Sequence, residues 1–233
     1  MNKKPELVIV GAISTNCWIY PLEDEEISPQ PCIVIDPGDE AKKIVSRLQK
    51  HGLVPRYIFL THGHFDHLAA LPDLIEAVSK GMFGQTLEQH PEHCPVPKVG
   101  IHRLDAHYLG NGALQAHRES MTVAGGSSAY VDALWKPLPD ADILFEEGDT
   151  AGPFKILHLP GHTQGSVAFY DEKAGVLFSG DTLFKSGYGR IDLPGGNEAQ
   201  IIQSLRRLFS MDGEISVYPG HGPVTTIARE AGR

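Results

Sequence analysis

The pattern of apolar runs and turn residues predicts an α/β fold. Two observations carry that reading. Short β-branched runs alternate with stretches of helical periodicity through residues 5–79 and order resumes from 143. In addition, His62, His162, Asp181 and His221 each follow such a run at once, and strand ends on one sheet edge are where α/β proteins assemble sites.

The elements follow in order. PELVIV (5–10) and STNCWIY (14–20) read as short strands, apolar and β-branched. PCIVIDPGD is a third, stopped by Pro37-Gly38, with Asp39 placed to cap the next helix. In EAKKIVSRLQKHG, Ile44, Val45 and Leu48 recur at helical spacing and Gly52 ends the run. RYIFLTHGH is a strand leading into a histidine cluster, and DHLAALPDLIEAVSKG a helix starting near Asp66. Residues 80–135 are rich in Gly, Pro and polar side chains. Within them KVGIHRLDAHYLG reads as a strand and a short helix, and the stretch as a whole as an insertion of undefined structure. From 143, DILFEEGDTAGPFKILHLPGHT reads as two strands joined at Glu147-Gly148-Asp149. GSVAFYDEKAGVLFSGDTLF is a hairpin turning at Asp171–Gly175. NEAQIIQSLRRLFSM is an amphipathic helix and EISVYPGHG a last strand. The expectation is one domain over residues 1–233, with the insertion at about 80–135.

Composition narrows the function. A hydrophobic fraction of 41% with 21% charged residues suits a globular chain with a real core. The net charge of −9 argues against nucleic acid or an anionic membrane surface as a partner. No run approaches the ~20 apolar residues of a membrane span, and the start reads as no signal peptide. Cys17, Cys32 and Cys94 are odd in number and widely spaced, against a disulfide framework. Cytoplasm is the expected compartment.

The densest motif is THGHFDH, residues 61–67. His62 and His64 flank Gly63, and a bend there turns both toward one ion. Asp66 and His67 sit on the next turn and point elsewhere, which suggests two neighbouring ions. Imidazole and carboxylate together suit zinc, iron(II) or manganese. By residue frequency, H-x-H-x-D-H is expected on the order of 0.002 times in such a chain, so chance explains it poorly. His162, Asp181 and His221 taken singly would read as ordinary polar or capping residues.

THGHFDH, LPGHTQGS, FSGDTLF and YPGHG, in this order, resemble the metallo-β-lactamase superfamily. NCWIY and IDPGD also look like that family's first strands, so the likeness spans nearly the whole chain. GYGRIDLPGG points to its glyoxalase II-like branch and the persulfide dioxygenase relatives. The resemblance implies a four-layer αβ/βα sandwich with the metals on one edge. It implies that His62, His64 and His162 hold one metal, that Asp66, His67 and His221 hold the second, and that Asp181 bridges both. The cofactor expected is two divalent ions, zinc first, with iron or manganese also suited. Asp66 and Asp181 would then be catalytic: a bridging water becomes hydroxide near neutral pH and attacks a thioester or ester carbonyl. Arg190 resembles the basic residue that glyoxalase II-like enzymes aim at an anionic, glutathione-like substrate; the alternative is a structural arginine. Tyr188 is a candidate for the same pocket, or for loop packing. Asp36 stands at a strand end and reads as support for the site or as a turn residue. Thr163 and Thr182 adjoin ligands and suit hydrogen bonding to them.

Two departures from the family pattern bear on substrate. The 80–135 stretch lengthens the interval from His67 to His162 and would roof the site or form a dimer contact. The sequence closes on GHGPVTTIAREAGR, where glyoxalase II proper continues into a helical domain with glutathione contacts, so the resemblance does not carry lactoylglutathione over as the substrate. The leading expectation is a dinuclear hydrolase of a small, anionic thioester or ester. One rival is a mononuclear iron persulfide dioxygenase using His62, His162 and Asp181 as a facial triad; another is a non-catalytic metal-binding protein. HPEHC (90–94) has a ligand-like look without a second half at zinc spacing.

Overall fold

The computed structural model describes residues 4–22, 29–81 and 96–232. Two six-stranded sheets form its centre. The first contains β1 (Glu6–Val10), β2 (Thr15–Pro21), β3 (Gln30–Ile35), β4 (Leu53–Phe59), β5 (Lys98–His102) and β6 (Ile143–Phe145), side by side in that order. β1, β2 and β3 are antiparallel neighbours; from β3 to β6 the pairing is parallel. The parallel crossovers carry α1 (Ala41–Lys50), α2 (Leu71–Ser79), α3 (Ala113–Val123) and α4 (Ala129–Leu134). The second sheet is built from β7 (Thr150–Ala151), β8 (Phe154–His158), β9 (Val167–Asp171), β10 (Val176–Gly180), β11 (Ser216–Pro219) and β12 (Thr225–Thr226). α5 (Glu198–Phe209) links β10 to β11, which pair in parallel, and α6 (Ile227–Glu230) follows β12.

Side-chain alternation sorts each strand between two cores. Trp18 and Tyr20 of β2, Ile33 and Ile35 of β3 and Phe59 of β4 face the second sheet, where Phe154, Phe169 and Phe178 meet them. The intervening Cys17, Ile19, Cys32, Val34 and Ile58 face the helices of the first half. Leu157, Ala168 and Leu177 face the helical side of the second sheet, against Ile201, Leu205 and Leu208 of α5. Both faces of both sheets are thus covered, giving the αβ/βα sandwich. Burying each phenylalanine contributes about 1.5–3 kcal/mol, so the aromatic seam between the sheets is a major stabilising layer. Polar ties cross the same seam: the Tyr20 hydroxyl donates to Asp171 Oδ2 at 2.8 Å and the Trp18 indole to the Pro219 carbonyl at 3.0 Å.

Several local expectations are corrected. The helix expected near Asp66 begins at Leu71; Phe65–His67 form one 3-10 turn first. Pro72 lies in the first turn of α2, where its missing N–H costs nothing. α1 starts after Glu40, not after an Asp39 cap, and Asp39 Oδ1 accepts from the Glu40 N–H. The two strands expected on either side of Glu147-Gly148-Asp149 are three, β6, β7 and β8; β6 belongs to the first sheet and β7 and β8 to the second, so this turn carries the chain between sheets. Within the 80–135 stretch, β5 lies between β4 and β6, so the chain re-enters the sheet there. The HPEHC residues His90, His93 and Cys94 lie outside the described residues.

Candidate metal centre

The C-terminal ends of β3, β4 and β5 and the start of antiparallel β2 share one edge of the first sheet. The ends of β8, β10 and β11 adjoin it from the second. The junction is explicit: the Asn16 N–H donates to the Gly220 carbonyl at 2.7 Å, and the Val167 N–H to the Thr61 carbonyl at 2.8 Å. Every expected ligand arrives at this edge.

His62, His64 and His162 form one group, with one ligand atom from each lying within 4.8 Å of the others. All three are buried. Asp66, His67 and His221 form a second group on the same criterion. Asp181, from the turn after β10, lies between them. Its Oδ1 is 3.4 Å from His67 Nε2, and its Oδ2 is 3.6 Å from both His162 Nε2 and His221 Nε2. Asp66 Oδ2 is 3.3 Å from both His67 Nε2 and His221 Nε2, and accepts from the Thr15 hydroxyl at 2.9 Å.

The imidazoles are oriented from outside. His162 Nδ1 donates to the Arg190 carbonyl at 2.7 Å. His67 Nδ1 donates to Asp36 Oδ2 at 3.0 Å. The Thr61 hydroxyl donates to Asp36 Oδ2 at 2.7 Å and so accepts from His62 Nδ1 at 3.0 Å. In each ring the Nε2 lone pair is thereby directed inward, as metal-ligating histidines require. His64 presents Nδ1 instead, 2.8 Å from the His162 Nε2 lone pair. The buried Nε2 of His62 and Oδ1 of Asp181 have no hydrogen-bond partner. Buried polar atoms are rarely left so, and lone pairs converging at these distances repel unless a cation or proton lies among them. The donor set therefore fits two divalent ions: three neutral imidazoles for one, two imidazoles and a carboxylate for the other, with a shared carboxylate.

Electrostatics separates the two groups. Burial holds His62 and His64 well below the ordinary histidine value, and neighbouring imidazoles add to it. Burial opposes charge on His67 too, yet Asp66, Asp181 and Asp36 together raise it well above that value. His221 is also raised, burial being outweighed by Asp66 and Asp181. Asp66 is only partly exposed and desolvation opposes its charge, but His67 and His221 hold its carboxyl well below the usual carboxylate range.

Asp36 stands within reach of His62 and His67. Its carboxylate is already filled by the Thr61 N–H, the Thr61 hydroxyl and His67, so it supports ligands from behind. The Thr163 hydroxyl bonds to Asp105 rather than to a ligand, and that of Thr182 is buried with no partner. Arg190 is exposed, and its guanidinium makes a two-point ion pair with Asp192 at 2.7 and 2.8 Å. That pair holds the Asp192 carboxyl down at about 2. Tyr188 is 50% exposed, so it packs in no core. Among the described residues, His102, His107 and His117 join no ligand group; His102 stacks on His158 with ring centroids 4.1 Å apart.

Sequence reasoning missed two contributors in the 80–135 stretch. Tyr108 packs its ring against Gly63 and lies 6.2 Å from His64, centroid to centroid. Asp105 accepts hydrogen bonds from the loops that carry His62, His64 and His162. The motif "LDAHY" carried no signal for either. Phe65, beside His64, packs on His117, Tyr130 and Trp135, so α3 and α4 buttress the same turn.

A family model described as the metallo-β-lactamase superfamily matches residues 11–221. A probable metallo-hydrolase of Bacillus subtilis, YqgX, is 33% identical, over 95% of this chain and 91% of its own length. The hydroxyacylglutathione hydrolase GloC of Haemophilus influenzae is 31% identical, over 97% and 93%. The crystal structure of TTHA1623 in a di-iron-bound form superposes with a TM-score of 0.75 at 34% identity, covering 97% of this chain and 96% of that one. With two ligand groups on one sandwich edge and a family match across them, this chain belongs to the metallo-β-lactamase superfamily and has relatives in its glyoxalase II-like branch.

Proposed function

We propose that this protein is a cytoplasmic dinuclear metallohydrolase that cleaves a small anionic thioester or ester. His62, His64 and His162 would hold one ion and Asp66, His67 and His221 the other, with Asp181 available to both. The observation that carries the proposal is the pair of adjoining ligand groups sharing one carboxylate. Two such ions, zinc being the metal that best suits this donor set, supply hydroxide at neutral pH and electrophilic stabilisation of a carbonyl oxygen.

The chain's own residues do the rest. The Arg190 carbonyl, Thr61 and Asp36 fix the His162, His62 and His67 tautomers, so the lone pairs need no rearrangement. Thr15 holds one Asp66 oxygen, leaving the other to orient a water. A thiolate leaves with little protonation, so no separate general acid is required. Arg190 and the exposed Tyr188 receive the anionic part of the substrate, with Asp192 giving way to it. The relative named as a hydroxyacylglutathione hydrolase supports the thioester class. The free, buried thiols of Cys17 and Cys32 suit a reducing compartment.

Elemental analysis of protein purified without added metal, alongside a thioester and lactone panel, tests the proposal. About two divalent ions per chain and a thioesterase activity lost on chelation are expected. About one iron per chain, with oxygen uptake on a persulfide and no hydrolysis, would overturn it.

A further inference from the structure

We propose that Asp105 is a positioning residue that sets the spacing of the two loops carrying His62, His64 and His162, and thereby the metal affinity of that group. The inference rests on the ligand set proposed above.

Asp105 comes from the 3-10 segment Arg103–Tyr108 that follows β5 and belongs to neither ligand group. Its Oδ2 accepts from the Gly63 N–H at 2.9 Å and from the Thr163 hydroxyl at 2.7 Å. Its Oδ1 accepts from the Gly165 N–H at 2.7 Å. Gly63 stands between His62 and His64, and Thr163 adjoins His162. One carboxylate therefore joins the loop after β4 of the first sheet to the loop after β8 of the second. The partners lie 42, 58 and 60 residues away in sequence, so no local feature of either loop replaces it.

Its chemistry is specific to an ionised carboxylate. All three partners donate, and Asp105 is 1% exposed. An amide in its place offers one accepting oxygen and two N–H donors that would face donors, a buried mismatch. Thr163 is also fixed on its far side. Its hydroxyl proton goes to Asp105, so Ser166 Oγ donates to it at 2.7 Å and accepts from the Thr163 N–H at 3.0 Å. The approach is close: a Cβ on Gly165 would stand 2.6 Å from Asp105 Oδ1, and one on Gly63 would run into the Tyr108 ring. The two loops keep a second tie, Val167 N–H to the Thr61 carbonyl, so loss of the carboxylate loosens their spacing without parting the sheets.

The test uses a His221→Ala background, which leaves the His62, His64 and His162 group as the tight site. Zinc affinity is measured by competition with a chromophoric chelator, and the Tm of the metal-free protein is measured beside it. Asp105→Asn is expected to weaken zinc about 10–100-fold, the usual effect of removing a partner outside the ligands. Thr163→Val should weaken it in the same direction, and Thr163→Ser, which keeps the hydroxyl, should restore it. Zinc affinity unchanged in both Asp105→Asn and Thr163→Val would overturn the proposal, as would a Thr163→Ser chain no better than Thr163→Val. If Asp105→Asn does not fold, the Thr163 pair decides alone. If the His221→Ala chain itself takes up no zinc, the ligand assignment fails, and the proposal with it.

Discussion

The two ligand groups lie a few ångströms apart and yet differ in kind. His62, His64 and His162 are buried imidazoles, and burial holds the first two neutral. Of Asp66, His67 and His221, the first and last are partly open, and Asp66, Asp181 and Asp36 together draw a proton onto the buried His67. The lesson is that ligand identity alone does not set readiness. A neutral buried group offers its lone pairs to a cation at neutral pH. A group whose carboxylates have captured a proton must release it first.

Breaking the link between the groups should have the largest effect. Asp181→Ala removes the carboxylate that faces both, and the hydrolytic kcat/KM is expected to fall at least about 10³-fold, as when a member of the catalytic machinery is lost. A panel assay with metal content measured in parallel checks this; activity within tenfold of the native chain would break the comparison. Next in size is Asp36→Asn, which weakens the hold on His67 Nδ1 and the Thr61 hydroxyl. Zinc affinity of the second group should drop about 10–100-fold, and that of the first less, because the hydrogen-bonded link from Asp36 to His62 runs through Thr61.

The contrast in charge gives a pH prediction with opposite signs. For metal-free protein, His67 has a folded pKa raised above the unfolded value. Its stabilising contribution is complete below about pH 6.5 and is lost as pH rises through the folded value. His62 and His64 are lowered, so they cost stability as pH falls below about 6.5, where the unfolded chain binds protons that they refuse. The Tm gap between the native chain and His67→Gln should therefore be widest in acid and close as pH rises. A gap that widens with rising pH would contradict the assignment of the proton to His67. The smallest effect concerns the rim. Asp192→Asn frees Arg190 from its two-point pair, and KM for anionic thioesters should fall a few-fold with kcat unchanged. The pair is exposed, so its own contribution to stability is small.

The sandwich and most of the site were legible because they are written locally. Period-two runs place Trp18 and Tyr20 opposite to Cys17 and Ile19, and a histidine-rich turn after a strand declares itself whatever lies far away. What was not legible depends on distant partners. Asp105 is an unremarkable acid in a polar stretch until Gly63 and Gly165 arrive beside it. The turn at Glu147-Gly148-Asp149 reads as a simple link between two strands because nothing local records that β6 and β7 lie in different sheets. Asp66 looks like a helix start because a carboxylate there suits a cap, whereas its Oδ2 is turned toward Thr15, His67 and His221.

The first ligand group takes His62 and His64 from the end of one sheet and His162 from the end of the other. No contiguous piece of the chain holds that group, so it exists only once the aromatic seam between the sheets has closed. Metal capture by that group would then come late on the folding route, reporting completed assembly instead of guiding it. Zinc added during refolding should leave the folding rate unchanged and slow unfolding, because interactions absent from the transition state act on that rate alone. The ion would serve the mature protein as a kinetic lock.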